Sequence, residues 1–284
     1  MNSGRVIFVS LALFGDPTLA AFAALGSVTA TTTSRFIDLD NKMWKDGLWG
    51  YNGALIGAAA SVFGPSYVPY MALSTVLGAA ATPVLSASLN SALSIPQWTW
   101  SFNIVALTSL LRARPLLPLD DTKVVAETIS GFSDVALSPL VGISQIFVVD
   151  SALTGAGILA GTALYSPGLA LHAIGGSATG SLVGLLMGGD LHDVSVGLWS
   201  YNSALASMAL GTFFVHSRQS MLLSVSSAAS AAALFGGMQA LFGEYGVPCL
   251  TLPFCSVASV CYLLEGHIPG LKLAMEPHSP EKNS

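Results

Sequence analysis

The stretch GLWGYNGAL at positions 47–55 returns as GLWSYNSAL at positions 197–205, which is 150 positions later. Upstream, PTLA at 17–20 matches PGLA at 167–170 with the same offset. Downstream, PQWTWSF at 96–102 matches PCLTLPF at 248–254. Two apolar halves related by an internal repeat are typical of a pore or carrier built at the interface between the repeats.

The charge pattern places the chain in a membrane. Charged residues make up 9% of the 284 positions, against roughly 25% in an average soluble domain. No Asp, Glu, Lys or Arg occurs in the stretches 47–111, 151–189, 194–217 and 219–243. Because a helix needs about 20 apolar residues to cross a bilayer, these stretches contain several crossings. The predicted fold is an all-α polytopic membrane protein, and the absence of a basic stripe argues against nucleic acid as a partner.

Turn residues and charges divide the chain into two halves. We predict a first membrane repeat at 1–111, an inter-repeat linker at 112–137, a second membrane repeat at 138–264 and a disordered polar tail at 265–284. In the first half, an apolar stretch at 5–34 breaks at Asp16-Pro17, and the charged segment 35–46 is predicted to be a loop. The later apolar segments are 47–63, 66–89, 96–111, 138–149, 153–165, 168–188, 197–216, 219–242 and 249–264.

Several of these segments are too short to span the membrane. Segments 138–149 and 96–111 hold 12 and 16 residues, fewer than the roughly 17 that a spanning helix needs. Irregular or broken backbone at membrane depth is tolerated only inside protein or beside a water-filled path. We therefore expect re-entrant half-helices and a pathway beside them.

The predicted pathway carries no fixed charge, which indicates a neutral cargo. Ion pumps and proton-coupled carriers keep ionisable residues inside the membrane, and here only His172 and His216 lie within apolar segments. For His172 a packing role is favoured, with a proton relay as the alternative. The repeated positions hold aromatic, amide and hydroxyl side chains that suit a flat, polar, uncharged solute. These are Trp49, Tyr51, Asn52, Thr99, Gln145, Trp199, Tyr201, Asn202 and Thr251. For the two tryptophans, anchoring at the membrane interface is the alternative.

The doubled GLWxYNxxL motif resembles the urea transporter family, as do LTLPF at 250–254 and GISQIFV at 142–148. The resemblance runs from about Ser3 to Leu264. It implies a channel-like facilitator with ten spanning helices in two inverted repeats of about five each, with re-entrant half-helices. It also implies a homotrimer in which every subunit has its own urea path. In this family a flat slot selects urea, because apolar side chains contact its faces while oxygen atoms accept its N–H groups.

The resemblance assigns roles to individual residues. It implies that one side of the slot uses Tyr51 and Leu55, and that the other uses Tyr201 and Leu205 with Ile146 opposite. Thr99 and Thr251 match the central threonines, whose hydroxyls bond urea, and Gln145 matches the polar residue at a re-entrant tip. Asn52, Asn202 and Pro253 are assigned structural support.

The chain departs from the family pattern at two places. Ser3-Gly4 aligns with Thr154-Gly155, so the first re-entrant tip is expected to be missing, and one wall of the slot to be open or to be filled by a lipid or another segment. Ser101 stands where the second half has Pro253.

Three functions remain possible from the sequence. The first is passive urea transport by a multi-pass protein of the plasma membrane. The second is a path for ammonia, water or another small amide, and the third is a truncated, non-transporting family member. An enzyme is disfavoured, because no His, Asp, Glu or Cys set has nucleophile–base or metal-ligand spacing. Accordingly no cofactor or metal is expected.

Overall fold

The computed structural model describes residues 16–64, 67–113 and 131–283. Within these ranges the chain is helical, and its one β-bridge, between Phe214 and Leu273, belongs to no strand. The helices are α1 Pro17–Phe36, α2 Asn41–Lys45, α3 Tyr51–Phe63, α4 Val68–Leu93, α5 Trp100–Ala113, α6 Phe132–Gln145, α7 Ala152–Tyr165, α8 Pro167–Leu186, α9 Leu191–Ser195, α10 Tyr201–Phe213, α11 Arg218–Gly243 and α12 Leu252–Tyr262. The predicted all-α class is confirmed.

The sequence repeat is matched by a repeat of helices. Helices α1 and α8 are both 20 residues long and both begin at a proline. Helices α3 and α10 have 13 residues each, and α4 and α11 have 26 each. The turn before α3 uses Gly47 and the turn before α10 uses Gly197, with positive φ angles of 73° and 77°, which glycine adopts without steric cost. The inverted relation between the two repeats stays a prediction.

Three described helices are long and apolar enough to cross a bilayer, namely α4, α8 and α11. Apolar helices of 10–17 residues accompany them, namely α3, α7 and α12. At 1.5 Å per residue, α3 is about 20 Å long, which is shorter than the roughly 30 Å hydrocarbon core. The protein is thus an integral, multi-pass membrane protein that also contains short apolar helices.

Aspartate side chains define where several helices begin. The Asp16 carboxylate accepts hydrogen bonds from the backbone N–H groups of Thr18 and Leu19, at 2.9 and 3.0 Å, and this capping places the start of α1 at the predicted break. The part of segment 5–34 that precedes residue 16 lies outside the described residues. Asp40 caps α2 in the same way. The prediction of a loop at 35–46 was therefore wrong at 41–45, which are helical.

The structure also differs from two predicted boundaries. Helix α6 begins at Phe132, so residues 132–137 are helical although the sequence suggested a linker there. Residues 114–130 of that linker lie outside the described part.

The C-terminal tail was predicted to be disordered, and this was wrong for 265–283, because backbone and side-chain hydrogen bonds join the tail to the end of α10. Val215 N–H donates to Lys272 O at 2.9 Å, and Ala274 N–H donates to Phe213 O at 2.8 Å.

The described chain forms two compact units. Unit 1 contains the described residues of 16–113 together with 242–252, and unit 2 contains 131–241 and 253–283. Segment 242–252, which belongs to the second repeat by sequence, thus packs in unit 1. The compact units and the sequence repeats are different divisions of the chain.

Unit 1 is built on the close contact of α1 with α3. A Cβ atom added to Gly26 would lie 2.0 Å from the carbonyl oxygen of Gly53, and one on Gly57 would lie 1.8 Å from that of Phe22. Small residues allow this approach where no hydrophobic effect between helices acts in lipid. A buried apolar cluster surrounds the crossing and contains Ala30, Leu55, Ile56, Ala59, Ala79, Phe102, Ala106 and Leu250.

In unit 2, hydroxyl groups join the short helix α6 to α8, and α8 to the residue that precedes α10. Ser138 Oγ donates to Ser181 Oγ, and Ser181 Oγ shares a further bond with Ser200 Oγ, both at 2.7 Å. All three serines are buried. Because each hydroxyl has a partner, polar contacts position this helix without leaving a buried polar group unpaired.

Candidate functional site

Two buried threonine hydroxyls meet in unit 1. Thr99 Oγ1 and Thr251 Oγ1 are 2.7 Å apart, a hydrogen bond in which either atom can be the donor. The side chains are 6% and 5% exposed, although 152 positions of sequence separate them. The structure thus brings together the two predicted central threonines.

Asn103 holds the threonines from α5. Its Nδ2 donates to Thr251 Oγ1 and to the backbone carbonyl of Thr99, both at 2.9 Å, and its Oδ1 accepts from Thr251 N–H at 3.1 Å. The sequence prediction missed this residue. The available signal was an amide within a charge-free apolar segment, because polar side chains at membrane depth are costly and mark function.

Each threonine follows a residue with an unusual backbone conformation. Trp98 has φ 43° and Leu250 has φ 51°, which is the left-handed region that non-glycine residues rarely adopt. Such conformations cost of order 1–3 kcal/mol and tend to occur at functional sites. The two positions correspond in the repeat, so the same local bend precedes both hydroxyls.

The predicted residues Tyr51 and Leu55 lie at the start of α3 in unit 1. The Tyr51 hydroxyl donates to the backbone carbonyl of Trp98, directly before Thr99. Leu55 is buried in the core cluster that includes Phe102 and Leu250. Tyr51 is 38% exposed, so its ring keeps an open face while its hydroxyl holds the Trp98–Thr99 turn.

The two repeated asparagines differ in their bonding. In unit 2, Asn202 Oδ1 accepts from the backbone N–H of Phe254 at 3.1 Å, one of the N–H groups that a helix start leaves without an intrahelical partner. In unit 1, Asn52 Oδ1 is buried without a partner among the described residues. The oxygen of Asn202 therefore bonds a backbone N–H at the start of a helix, whereas the oxygen of Asn52 is an acceptor without a described donor.

Gln145 and Ile146 lie at the end of α6, where the chain reverses direction. Val148 N–H donates to the carbonyl of Gln145 at 3.0 Å, and Val148 has φ 61°. The buried Ser144 hydroxyl accepts from Ser151 N–H at 3.3 Å and lies 2.7 Å from Val149 O. Gln145 and Ile146 are half-buried, on a turn that Ser144 holds closed.

Tyr201 and Leu205 lie on α10 in unit 2. Tyr201 is 9% exposed and meets the ring of Phe235 edge-on, with ring centroids 6.0 Å apart. Leu205 is half-buried. The equivalent tyrosines of the two repeats are thus not equally accessible, because Tyr51 is about four times as exposed.

The two repeated tryptophans are packing residues. Trp49 is 6% exposed and its Nε1 donates to the Asp40 carbonyl at 3.1 Å. Trp199 is 7% exposed and packs edge-on against Phe235 at 5.5 Å. Both rings are enclosed within their own unit, so neither the solute contact nor the interface anchoring considered from the sequence describes them.

The residues at the Pro253 position differ between the repeats for a structural reason. Pro253 is fully buried in the first turn of α12, where its missing N–H removes no helical bond. In the first repeat, the fully buried Ser101 has its Oγ 2.8 Å from Ser86 Oγ on α4. This hydroxyl bond joins α5 to α4, a contact that a proline at position 101 could not make.

His172 is a hydrogen-bonded packing residue of unit 2. Its Nδ1 lies 3.1 Å from Ser207 Oγ and 2.9 Å from Ser224 Oγ. The ring fills the space beside Gly211, where an added Cβ would lie 2.7 Å from it. Among the described residues, no group of three His, Cys, Asp or Glu side chains is placed to hold a metal ion.

Comparison with known proteins identifies the family of this chain. The family model described as urea transporter matches residues 1–266. The chain is similar to urea transporter 1 of Ovis aries and of Capra hircus, each 32% identical over 278 residues, covering 92% of this chain and 72% of the relative. Urea transporter 1 of Mus musculus is 31% identical over the same coverage. With a family match along nearly its whole length and relatives above 30% identity, this chain belongs to the urea transporter family.

Proposed function

We propose that this protein lets urea cross the membrane passively, with the hydroxyls of Thr99 and Thr251 as hydrogen-bonding partners at the centre of the path. The single observation that carries the proposal is their buried hydroxyl contact of 2.7 Å. Membership of a transporter family, and relatives named urea transporter 1, support the substrate. As a member of this family the protein is a transporter and not an enzyme.

The chemistry of the unit 1 site suits a neutral solute. The segments that carry the two threonines, residues 47–111 and 245–264, contain no Asp, Glu, Lys or Arg, so neither segment supplies a fixed charge that would favour an ion. Hydroxyl groups both donate and accept, which matches the N–H groups and the carbonyl oxygen of urea. Because urea is neutral, the membrane potential does no work on it, and we expect flux without dependence on voltage, sodium or protons.

The remaining lining residues stay predictions from the family resemblance. They are Tyr51 and Leu55 in unit 1, and Gln145, Ile146, Tyr201 and Leu205 in unit 2. Assembly as a homotrimer and residence in the plasma membrane rest on the same resemblance. Light scattering of the purified protein in detergent measures the oligomeric state. A protein mass other than that of three chains would contradict the homotrimer.

The experiment that tests the proposed function is stopped-flow urea efflux from proteoliposomes, with wild-type protein and Thr251→Val. Valine keeps the shape and removes the hydroxyl. Losing one hydrogen bond in a desolvated site costs about 1–3 kcal/mol, which lowers flux roughly 5- to 150-fold if this site limits passage. Unchanged flux in the folded mutant would remove Thr251 from the path.

A matched control uses the same substitution on α5. Thr108 is exposed, and its hydroxyl bonds only the Ile104 carbonyl of its own helix among the described contacts, at 2.7 Å. Thr108→Val should therefore leave flux unchanged. Efflux of methylurea, thiourea, ammonia and water from the same vesicles separates urea transport from the alternative of a general small-solute path.

A further inference from the structure

The two repeats differ at the residue four positions after each central threonine. The first repeat has Asn103 and the second has Cys255. Asn103 is fully buried, although an amide at membrane depth is favourable only when it is well bonded. Three of its hydrogen bonds go to Thr99 and Thr251, so the side chain is directed at the site.

One side chain holds Thr251 at two points. The Asn103 oxygen accepts the Thr251 backbone N–H at 3.1 Å, and the Asn103 nitrogen donates to the Thr251 hydroxyl at 2.9 Å. The second N–H of the same amide reaches the Thr99 carbonyl at 2.9 Å. A planar amide bonded on both sides fixes the distance and direction of Thr251 Oγ1 relative to α5.

The donation from Asn103 also limits what the Thr251 hydroxyl can still bind. A hydroxyl has one hydrogen and two lone pairs. If Thr251 donates to Thr99, the Asn103 bond leaves one lone pair on Thr251 Oγ1. If Thr99 donates instead, both lone pairs are used and only the hydrogen remains. In either case one binding group remains on Thr251, whereas without Asn103 there would be two.

We propose that Asn103 is a positioning residue that determines specificity at the threonine pair. It restricts Thr251 to a single, fixed hydrogen-bonding group, and so favours small neutral amides whose donors and acceptor match that geometry. This inference rests on the proposed function. When Thr99 is the donor of the pair, the group left on Thr251 is its hydrogen, which a solute must accept. A site built around that fixed hydrogen bond rejects an analogue that makes a weaker one, and thiourea is such an analogue because its sulfur is a weaker acceptor than the oxygen of urea.

The test is a double-mutant cycle between Asn103→Leu and Thr251→Val, with urea and thiourea efflux measured by stopped flow. Leucine has a similar shape and makes no hydrogen bond. In the wild-type background Asn103→Leu should lower urea flux roughly five- to thirtyfold, and thiourea flux less, so that the urea-to-thiourea ratio falls. In the Thr251→Val background it should change urea flux little, because the group it positions is already gone.

Two further variants are controls that distinguish a specific effect of Asn103 from a general loss of structure. Ser86→Ala breaks the buried Ser86–Ser101 bond in the same unit, and should lower thermal stability while leaving the urea-to-thiourea ratio unchanged. Asn103→Cys introduces the residue that the second repeat has at this position. It should reproduce the fall in the ratio, and it replaces the leucine variant if leucine prevents folding.

The possible results distinguish a failure of the inference about Asn103 from a failure of the proposed function. If wild-type protein carries urea but the losses from Asn103→Leu and Thr251→Val simply multiply, Asn103 acts only on structure and the inference is overturned. An unchanged urea-to-thiourea ratio in both Asn103 variants would overturn it as well. Urea flux at the level of protein-free liposomes from folded wild-type protein would overturn the proposed function and the inference together.

Discussion

At the scale of single residues, the two repeated asparagines differ in bonding although their sequence motifs are nearly the same. Asn202 Oδ1 holds the Phe254 N–H, whereas the buried oxygen of Asn52 has no described partner. Removing an acceptor that a buried N–H uses costs more than removing an acceptor that was never used. The same substitution should therefore affect the two positions differently.

We predict that Asn202→Leu lowers the free energy of unfolding by about 1–3 kcal/mol, and that Asn52→Leu lowers it by less. Thermal unfolding of the purified protein in detergent measures both, and each variant serves as the control for the other. Equal losses would show that the bond to Phe254 N–H contributes nothing particular to stability.

At the scale of elements, the position of a glycine decides whether it is required. Gly57 on α3 faces the backbone of Phe22 on α1, where an added Cβ would be 1.8 Å from a carbonyl oxygen. Gly157 on α7 has no atom within 4 Å of such a Cβ. The sequence shows small residues in both helices, but only the fold tells which of them lies at a crossing.

Gly57→Ala should push α1 and α3 apart and destabilise the protein by about 1–3 kcal/mol, as overpacking does in other cores. Gly157→Ala should be neutral or raise stability by up to about 0.5–1 kcal/mol, because alanine is the better helix former. Melting temperatures of the two variants check this, and a harmless Gly57→Ala would contradict the close crossing.

At the scale of the whole molecule, the C-terminal tail is bound to helix ends within unit 2. The amide of Asn283 donates to the carbonyls of Gly211, Thr212 and Phe214 at 3.1, 2.9 and 3.1 Å. These are carbonyls of the kind that a helix end leaves without a partner. At the start of α8, the Glu281 carboxylate accepts from Ser166 Oγ at 2.7 Å and from Gly168 N–H.

The tail gives the stability of the protein a defined pH dependence. The hydrogen bond from Ser166, aided by the Gly168 N–H, lowers the pKa of Glu281 from its ordinary 4.5 to about 2. A lowered carboxyl pKa stabilises the folded state above the unfolded pKa, and this stabilisation is lost as pH falls through the folded value. The loss therefore falls between about pH 4.5 and about pH 2.

Glu281→Gln should flatten this part of the stability curve, since glutamine does not ionise. Unfolding of wild type and variant in detergent across that pH range measures the difference, and Glu276→Gln at an exposed tail position is the matched control. Identical curves for wild type and Glu281→Gln would show that the tail contact does not contribute to folding in solution.

The sequence by itself determined the properties that depend on local composition and order. Charge-free apolar stretches predicted a membrane protein made of helices, because a bilayer core leaves backbone groups only internal partners. The internal repeat predicted matching helices and included Thr99 and Thr251, to which the family resemblance assigned a central role. Capping and turn residues such as Asp16 marked a boundary, since their hydrogen bonds are made within a few positions.

Only the tertiary structure decided which distant groups meet. Asn103 bonds a threonine 148 positions away, and no local pattern encodes that contact. The burial of Trp49 and Trp199 and the ordered tail likewise depend on neighbours that are remote in sequence. A polar residue in an apolar segment indicates that a desolvation free energy must be offset by hydrogen bonds. Which residue makes those hydrogen bonds depends on how the helices pack.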